Sequence, residues 1–169
     1  MPLMALKTLE GKTILLTGFT SGIGLETARQ LARMGAELIL IGRSALSGNG
    51  IALELKRESD NPNLSVLQAD LSEKEDIDKL LVALRKRIHK IDCLINNAGA
   101  IYRKRETNST GIERTLALNH LAYFHLTLSL LDLLEKSGNA RIINVASDAH
   151  RSIKKGIEFD DLMFTKKYD

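Results

Sequence analysis

Short apolar runs alternate along the chain with longer amphipathic stretches, and this alternation predicts a repeated strand–helix order. The apolar runs predict strands at residues 13–18, 37–42, 64–69, 91–97 and 140–147. These runs are rich in Val, Ile and Leu with few polar positions, which is typical of parallel strands buried on both faces.

The stretches between the runs place apolar residues three or four positions apart, which predicts helices. Helices are predicted from Ile23 to Met34, from about Ser44 to Ser59, and over roughly 109–135. Ser72 and Glu75 have the spacing of a capping box, which predicts the start of a further helix there.

The connections between the strands are too long for hairpins, so the strands should be parallel with right-handed crossovers. This order predicts an α/β fold with a doubly wound, Rossmann-like parallel sheet. We expect residues 1–169 to form a single domain with five strands. No strand or helix is predicted beyond the fifth strand, so the C-terminal strands and helices of a finished domain should be missing.

Composition narrows the class of protein. The chain is 44% hydrophobic and 27% charged, as expected for a soluble domain, and its net charge of +3 suits a phosphate-bearing ligand. An aromatic content of 4% gives little support to nucleic-acid binding. No apolar run is long enough to span a membrane and MPLMALKTLEGK is too short for a signal peptide, so cytoplasmic residence is the expectation.

Cysteine and histidine provide no pattern typical of a metal site. The single cysteine, Cys93, excludes an internal disulfide and a CxxC site, and its apolar neighbours predict a small buried hydrophobe. The four histidines lack ligand spacing. We therefore expect no metal ion.

A glycine-rich turn, TGFTSGIG, lies between the first predicted strand and the first helix. Gly18, Gly22 and Gly24 permit a positive φ angle and a close approach of the backbone to a pyrophosphate, whose charge the helix N-terminus stabilises. A plain tight turn is the alternative. The position at the start of a strand–helix–strand series favours dinucleotide binding.

The end of the second strand bears on the choice of dinucleotide. An NAD site would place Asp or Glu there, whereas this chain has Arg43 after Gly42. An arginine there can pair with a 2′-phosphate, so we predict NADP(H) in preference to NAD(H). A solvated surface arginine is the alternative.

Several motifs in order carry a family resemblance. TGFTSGIG, Asp70-Leu71, NNAG at 96–99, Asn119 and INVAS together resemble the short-chain dehydrogenase/reductase family. ERTLALNHLAYFHLT and IEFDDLMFTKKYD further resemble its retinol-dehydrogenase-like branch. The resemblance implies an oxidoreductase that interconverts an alcohol and a carbonyl by hydride transfer.

The resemblance implies that Asp70 binds the adenine amino group and that Asn97 lines the cofactor ribose. Asp70 could instead cap a loop, and Asn96 could be purely structural. With the glycine turn and the arginine, the predicted cofactor-binding residues are Gly18, Ser21, Gly22, Ile23, Gly24, Arg43, Asp70, Leu71, Asn97, Ala98 and Gly99.

Two residues are implied to be catalytic. Ser147 matches the serine that polarises the substrate oxygen, and Asn119 matches the asparagine that anchors a proton relay. An ordinary loop serine and a satisfied buried asparagine are the alternatives.

The basic run at 103–105 is interpreted as a solvated loop that could help to attract an anionic cofactor.

The family's acid–base pair is a tyrosine with a lysine four residues later. Tyr168 is the one tyrosine after Ser147, and only Asp169 follows it, so Tyr168 is interpreted as non-catalytic. The tyrosine–lysine pair would then come from beyond Asp169.

The leading hypothesis is an NADP(H)-dependent oxidoreductase acting on a fairly apolar small molecule. The alternative is a non-catalytic NADP(H)-binding module that acts through a protein partner. A homo-oligomer stays open, because paired long helices build dimers in this family. No nucleic-acid partner is expected.

Overall fold

A computed structural model of the protein describes residues 8–152 and 156–168. Residues 1–7, which begin the stretch MPLMALKTLEGK, lie outside these ranges, as does Asp169. The described chain forms a five-stranded sheet in the order β3-β2-β1-β4-β5, and every strand pair is parallel. The predicted α/β, Rossmann-like sheet is therefore confirmed. The strands are β1 Thr13–Thr17, β2 Glu37–Gly42, β3 Leu64–Gln68, β4 Cys93–Asn96 and β5 Arg141–Asn144.

Helices connect the strands. They are α1 Gly22–Arg33, α2 Ala45–Ser59, α3 Lys74–Arg85, α4 Arg114–Leu116, α5 Ala122–Ser129 and α6 Leu131–Glu135. A π-helical segment, Ala117–Leu121, joins α4 to α5, and short 3-10 turns lie at Asp148–Ser152 and Phe159–Asp161.

Alternate residues of the central strands bury their side chains on opposite faces of the sheet. Leu15 and Leu94 pack with α3, α5 and α6, whereas Leu16 and Leu40 pack with α1 and α2. These two clusters explain the unbroken apolar runs in the sequence, because a parallel strand covered on both faces has no solvent side.

The chain reverses its winding at the centre of the sheet. β1 pairs with β2 on one side and with β4 on the other. The crossovers from β1 and from β4 lead away in opposite directions, which opens a crevice at the carboxyl ends of these strands. The turn after β1 and the loop after β4 therefore lie at this crevice.

The prediction of one continuous helix over 109–135 was wrong. The Asn108 side-chain oxygen accepts hydrogen bonds from the backbone N–H groups of Thr110 and Ile112, and Gly111 adopts a φ of +83°. This side-chain turn competes with helix formation, so the helix begins only at Arg114. A second break lies at Leu130, where φ is −110° and ψ is 5°.

The capping box predicted at Ser72 was also wrong. α3 begins at Lys74, and its N-cap residue, Glu73, makes no side-chain capping bond. The Ser72 hydroxyl instead donates to Asp70 Oδ1 at 2.7 Å. The serine is used in the loop before the helix, where it fixes a carboxylate.

Part of the apolar surface of β5 and α5 lies exposed. Ile142 and Ile143 of β5 are 42% and 45% exposed, and Phe124 and Leu128 of α5 are also exposed.

Cys93 is half-buried against the core rather than fully buried, and burial raises the pKa of its thiol.

Two further findings concern the described ranges. Within residues 8–152 and 156–168, no helix is both long and apolar enough to cross a bilayer. The same residues contain no group of three or more His, Cys, Asp or Glu side chains placed to hold a metal ion.

Candidate active site

The turn after β1 approaches the loop after β4 so closely that one of its positions requires glycine. Gly18 has a φ of +70°, and a Cβ atom there would lie 2.6 Å from Cα of Ala98. At Gly24, a Cβ atom would overlap the carbonyl oxygen of Gly18. The glycine spacing read from the sequence therefore reflects contacts within the protein as well as room for a ligand.

The N-terminus of α1 is left open to an acceptor from outside the helix. Its N-cap residue, Ser21, has extended backbone angles, and its side chain makes no capping hydrogen bond. The first turn carries no acidic residue. Because the first N–H groups of a helix lack intrahelical partners and carry partial positive charge, this end suits a phosphate.

Thr17 is a site residue that the sequence analysis missed. Its Oγ1 accepts hydrogen bonds from the backbone N–H groups of Asn97 and Ala98, each at 2.9 Å. The Asn97 side-chain nitrogen donates in return to the carbonyl oxygens of Thr17 and Gly18, each at 2.9 Å. A hydroxyl at the last position of β1 was the available signal, since ligands bind at this end of parallel strands.

Asp70 lies in the loop after β3, and its carboxylate is held by the protein. Oδ1 accepts from the backbone N–H of Ser72 at 2.9 Å and from its hydroxyl, and Oδ2 pairs with Arg114 at 3.2 Å. Burial raises the pKa of Asp70, but the bonds from Ser72 and Arg114 outweigh burial and hold the pKa below its ordinary value. The alternative in which Asp70 caps the loop before α3 is therefore observed. Because its pKa is lowered, the Asp70 carboxyl is an anion at neutral pH.

Most of the predicted cofactor-binding residues meet in one cleft of about 350 Å³, which we call the smaller cleft. Gly22 and Asp70 lie beside lining residues without lining it themselves. Arg43 lines the cleft and is exposed. The predicted residues in the lining are Gly18, Ser21, Ile23, Gly24, Arg43, Leu71, Asn97, Ala98 and Gly99.

A second cleft of about 970 Å³, the larger cleft, contains both predicted catalytic residues. Asn119 and Ser147 line it together with apolar and aromatic side chains, among them Tyr123 and Phe124. The two clefts share the lining residues Ile23, Asn97, Gly99, Ala100 and Val145. They are therefore adjoining parts of one crevice at the carboxyl ends of β1 and β4.

Asn119 lies in the π-helical segment and forms two hydrogen bonds with the loop after β4. Its side-chain oxygen accepts from the Ala100 N–H at 3.0 Å, and its nitrogen donates to the Ala100 carbonyl at 2.9 Å. The alternative of a satisfied buried asparagine is wrong in one respect, because the residue is satisfied but exposed. π-helical turns often occur at functional sites, where they change the direction of a side chain.

Ser147 lies after β5 rather than within it. β5 ends at Asn144, so the predicted strand over 140–147 was too long. The Ser147 hydroxyl is exposed and accepts from the backbone N–H of Ala149 at 3.2 Å. As a side chain on the wall of the larger cleft, it is accessible to a small molecule.

Asn96 has structural contacts. It is fully buried in β4, and its side-chain nitrogen donates to Thr127 Oγ1 and to Asn144 Oδ1. These bonds join β4 to α5 and β5, which supports the structural alternative for this asparagine.

The basic run at 103–105 is exposed, as its interpretation as a solvated loop predicts, and one of its residues also contacts a second segment. Arg105 donates from Nε to the carbonyl oxygen of Met163 at 2.8 Å, so it binds the segment that ends in Tyr168. Tyr168 itself contacts Glu113 and Thr115 and lines neither cleft.

Known proteins with similar sequences and structures identify the family to which this chain belongs. A model of the short chain dehydrogenase family matches residues 12–157. The chain belongs to the short-chain dehydrogenase family. Retinol dehydrogenase 12 from Homo sapiens is 38% identical over 160 residues, covering 95% of this chain and 50% of that protein. The resemblance to the retinol-dehydrogenase-like branch is thus confirmed, and the chain spans about half the length of the curated relatives it matches.

Solved structures of the family superpose on this chain. A short-chain dehydrogenase from Sphingobium yanoikuyae in complex with NADPH has a TM-score of 0.74 at 31% identity, covering 90% of this chain and 58% of that one. An active-site complex of Pseudomonas aeruginosa RhlG with NADP has the same TM-score and identity, covering 91% and 60%. Short-chain dehydrogenases are oxidoreductases that use NAD(P)(H).

Proposed function

We propose that this protein is an NADP(H)-dependent oxidoreductase that interconverts an alcohol and a carbonyl on a fairly apolar small molecule. One observation carries the proposal: the cleft at the open N-terminus of α1 adjoins the cleft that contains Ser147 and Asn119. A ligand with phosphates in the smaller cleft can therefore extend its other end into the larger one. The two family complexes described above contain NADPH and NADP, which supports the same choice of cofactor.

The residues of the smaller cleft suit the phosphate-bearing half of the cofactor. The backbone N–H groups at the start of α1 would hold the pyrophosphate, with Gly18 and Gly24 keeping the turn close to the sheet. Arg43, exposed at the end of β2, would pair with the 2′-phosphate. Asp70 with Leu71 would bind the adenine, and Asn97 to Gly99 the adjoining ribose.

The larger cleft would bind the substrate. A bound nicotinamide supplies or accepts the hydride. The Ser147 hydroxyl would donate to the substrate oxygen and stabilise the charge that develops there. Asn119 would keep the Ala100 backbone in place on the shared wall of the clefts. The aromatic and aliphatic lining favours an apolar substrate.

Cofactor preference is tested by fluorescence titration of the purified chain with NADPH and with NADH. We expect NADPH to bind at least about tenfold more tightly, because Arg43 forms a charge-assisted pair with the 2′-phosphate. Arg43→Ala should remove the preference, whereas Arg57→Ala, in the last turn of α2, should retain it. Equal dissociation constants for the two cofactors on the unaltered chain would exclude NADP(H) specificity.

The reaction is tested on the product of the complete reading frame, with a panel of apolar ketones and aldehydes and NADPH absorbance as the readout. Ser147→Ala should lower kcat about a hundredfold or more, because one donor to the developing oxyanion is lost. Ser65→Ala, an exposed serine of β3, is the matched control. A product that binds NADPH but reduces no carbonyl would replace this proposal with the non-catalytic binding module.

A further inference from the structure

Glu113 is a buried carboxylate that the proposed reaction does not use, and it lines neither cleft. It is the N-cap residue of α4, and both of its oxygens bind the first turn. Oε1 accepts from the backbone N–H of Thr115 at 2.8 Å, and Oε2 accepts from the N–H of Leu116 at 2.7 Å. These bonds satisfy N–H groups that have no partner within the helix.

The segment at 156–168 is attached to the same residue. The Tyr168 hydroxyl donates to Glu113 Oε1, and the backbone N–H of Glu113 donates to Met163 Sδ at 3.4 Å. Arg105 adds a third contact by donating to the carbonyl oxygen of Met163. One carboxylate oxygen is therefore shared by the helix cap and by the segment.

The helix that Glu113 caps leads directly to Asn119. α4 is followed without interruption by the π-helical segment Ala117–Leu121, which contains Asn119. Backbone hydrogen bonds join each turn of a helix to the next, so a displacement of the first turn moves the turns that follow. Asn119 binds Ala100 through both ends of its amide, and Ala100 lines both clefts. A continuous series of contacts thus joins Tyr168 to the shared wall of the clefts.

We propose that Glu113 is a positioning residue that couples the docking of the segment at 156–168 to the placement of Asn119 against Ala100. The inference rests on the proposed function, in which Asn119 keeps the wall of the substrate cleft in place. Glu113 acts through α4 and touches neither substrate nor cofactor. Because energetic coupling between two sites is reciprocal, a change at the Tyr168 end should be measurable at Ala100.

Hydrogen exchange on the purified chain tests the coupling without a cofactor or a substrate. In Glu113→Gln, the side chain keeps one acceptor oxygen and presents an NH2 group in place of the other, so one cap bond is lost. We expect the Ala100 amide to exchange about fivefold faster or more, as measured by NMR. Tyr168→Phe leaves the cap intact and should still accelerate exchange of that amide about twofold to threefold.

Asp92→Asn is the control for a general loss of stability. Asp92 is buried just before the amino end of β4, where it accepts hydrogen bonds from Lys12 and Ser137, whereas Ala100 follows the carboxyl end of that strand. The substitution weakens the fold far from α4. It should leave the Ala100 exchange rate within about twofold of that of the unaltered chain, because this amide exchanges through local opening.

The product of the complete reading frame supplies a kinetic readout. With a panel of apolar ketones and aldehydes, Glu113→Gln should lower kcat about tenfold, because the wall that positions the substrate is displaced. The dissociation constant for NADPH should stay within about threefold, since Glu113 lies outside the smaller cleft where the phosphates would bind. A purely structural cap would lower stability without this split between kcat and cofactor affinity.

Glu113→Asp separates the two roles of the carboxylate. Aspartate is a favoured N-cap residue, so the bonds to α4 and the melting temperature should be retained. Its shorter side chain withdraws the acceptor from the Tyr168 hydroxyl. Exchange in the segment at 156–168 should therefore rise about fivefold, and kcat should fall about threefold. A residue that only caps the helix would keep both at the values of the unaltered protein.

The outcomes distinguish this inference from the proposed function. A folded Glu113→Gln with the unaltered Ala100 exchange rate and the unaltered kcat would overturn the positioning role, as would a Glu113→Asp without effect on 156–168 or on kcat. Circular dichroism verifies folding, and Glu113→Asp with Tyr168→Phe carries the test if Glu113→Gln does not fold. An unaltered product that reduces no carbonyl would remove the proposed function, whereas the exchange rates would still decide the coupling.

Discussion

Tyr168 donates a hydrogen bond from its hydroxyl to Glu113 Oε1 at 3.0 Å. Glu113 is 2% exposed and caps α4 by accepting from the backbone N–H groups of Thr115 and Leu116. Burial raises the pKa of Glu113, but these hydrogen bonds outweigh burial and hold the pKa below its ordinary value. The tyrosine thus ties the segment at 156–168 to the start of the helix that leads to Asn119.

Removal of the Tyr168 hydroxyl should loosen that segment. In Tyr168→Phe, we expect amide hydrogen exchange in 156–168 to rise about fivefold to tenfold, because one hydrogen bond to a charged acceptor is lost at a partly exposed position. Exchange followed by mass spectrometry measures this. Tyr102→Phe is the matched control, since the Tyr102 hydroxyl has no hydrogen-bond partner among the described residues. Unchanged exchange in Tyr168→Phe would show that the bond does not hold the segment.

Two glycines of the turn after β1 should respond differently to alanine. Both have positive φ, +70° at Gly18 and +55° at Gly22, but a Cβ atom meets a neighbour only at Gly18. Gly22→Ala should lower the free energy of unfolding by about 1 kcal/mol, the cost of left-handed backbone. Gly18→Ala should cost about 3 kcal/mol or more, because the Ala98 backbone must also move. Urea unfolding measures both, and equal losses would contradict the predicted clash.

The two hydrogen bonds of Asn119 can be separated by substitution. Asn119→Ala removes the acceptor for the Ala100 N–H, so exchange of that amide should accelerate about tenfold. Asn119→Asp keeps an acceptor and should retain most of the protection. His120→Ala, at the next exposed position, is the control. NMR exchange of the Ala100 amide gives the result, and equal rates in the alanine and aspartate variants would exclude this contact.

Asp92 should make stability depend on pH in the acid range. It is buried and accepts from Lys12, Lys90, Ser137 and the Thr13 N–H. Burial raises its pKa, but these bonds outweigh burial and lower the pKa well below its ordinary value. Because the folded pKa is the lower one, the stabilisation is complete above the unfolded pKa of about 4 and is lost as the pH falls toward the folded pKa.

The Asp92→Asn variant tests this dependence. At pH 7 it should lose about 2–3 kcal/mol of unfolding free energy, since bonds to a buried charged acceptor are weakened. The difference from the unaltered chain should shrink between about pH 5 and pH 3. Urea unfolding at a series of pH values measures it, with the exposed Asp160→Asn as control. A difference that stays constant down to pH 3 would contradict the assigned pKa direction.

The sequence by itself determined the strand–helix order, the parallel sheet and the turn at Gly18. These features depend on the periodicity of apolar residues and on the conformational freedom of the glycine backbone. Both are properties of residues that are neighbours in the sequence. The family motifs also identified residues that line one crevice, because the carboxyl ends of β1 and β4 bring their loops together.

Only the tertiary structure decided the partners of those residues. The hydrogen bonds between Thr17 and Asn97 and between Arg114 and Asp70 span 80 and 44 positions, and no local pattern pairs such residues. The side-chain turn at Asn108 likewise replaced the first predicted turns of the long helix, since it satisfies backbone N–H groups that a helix would otherwise use. A hydrogen bond between distant positions forms only once the folded sheet has brought both groups together, so it produces no periodic pattern in the sequence.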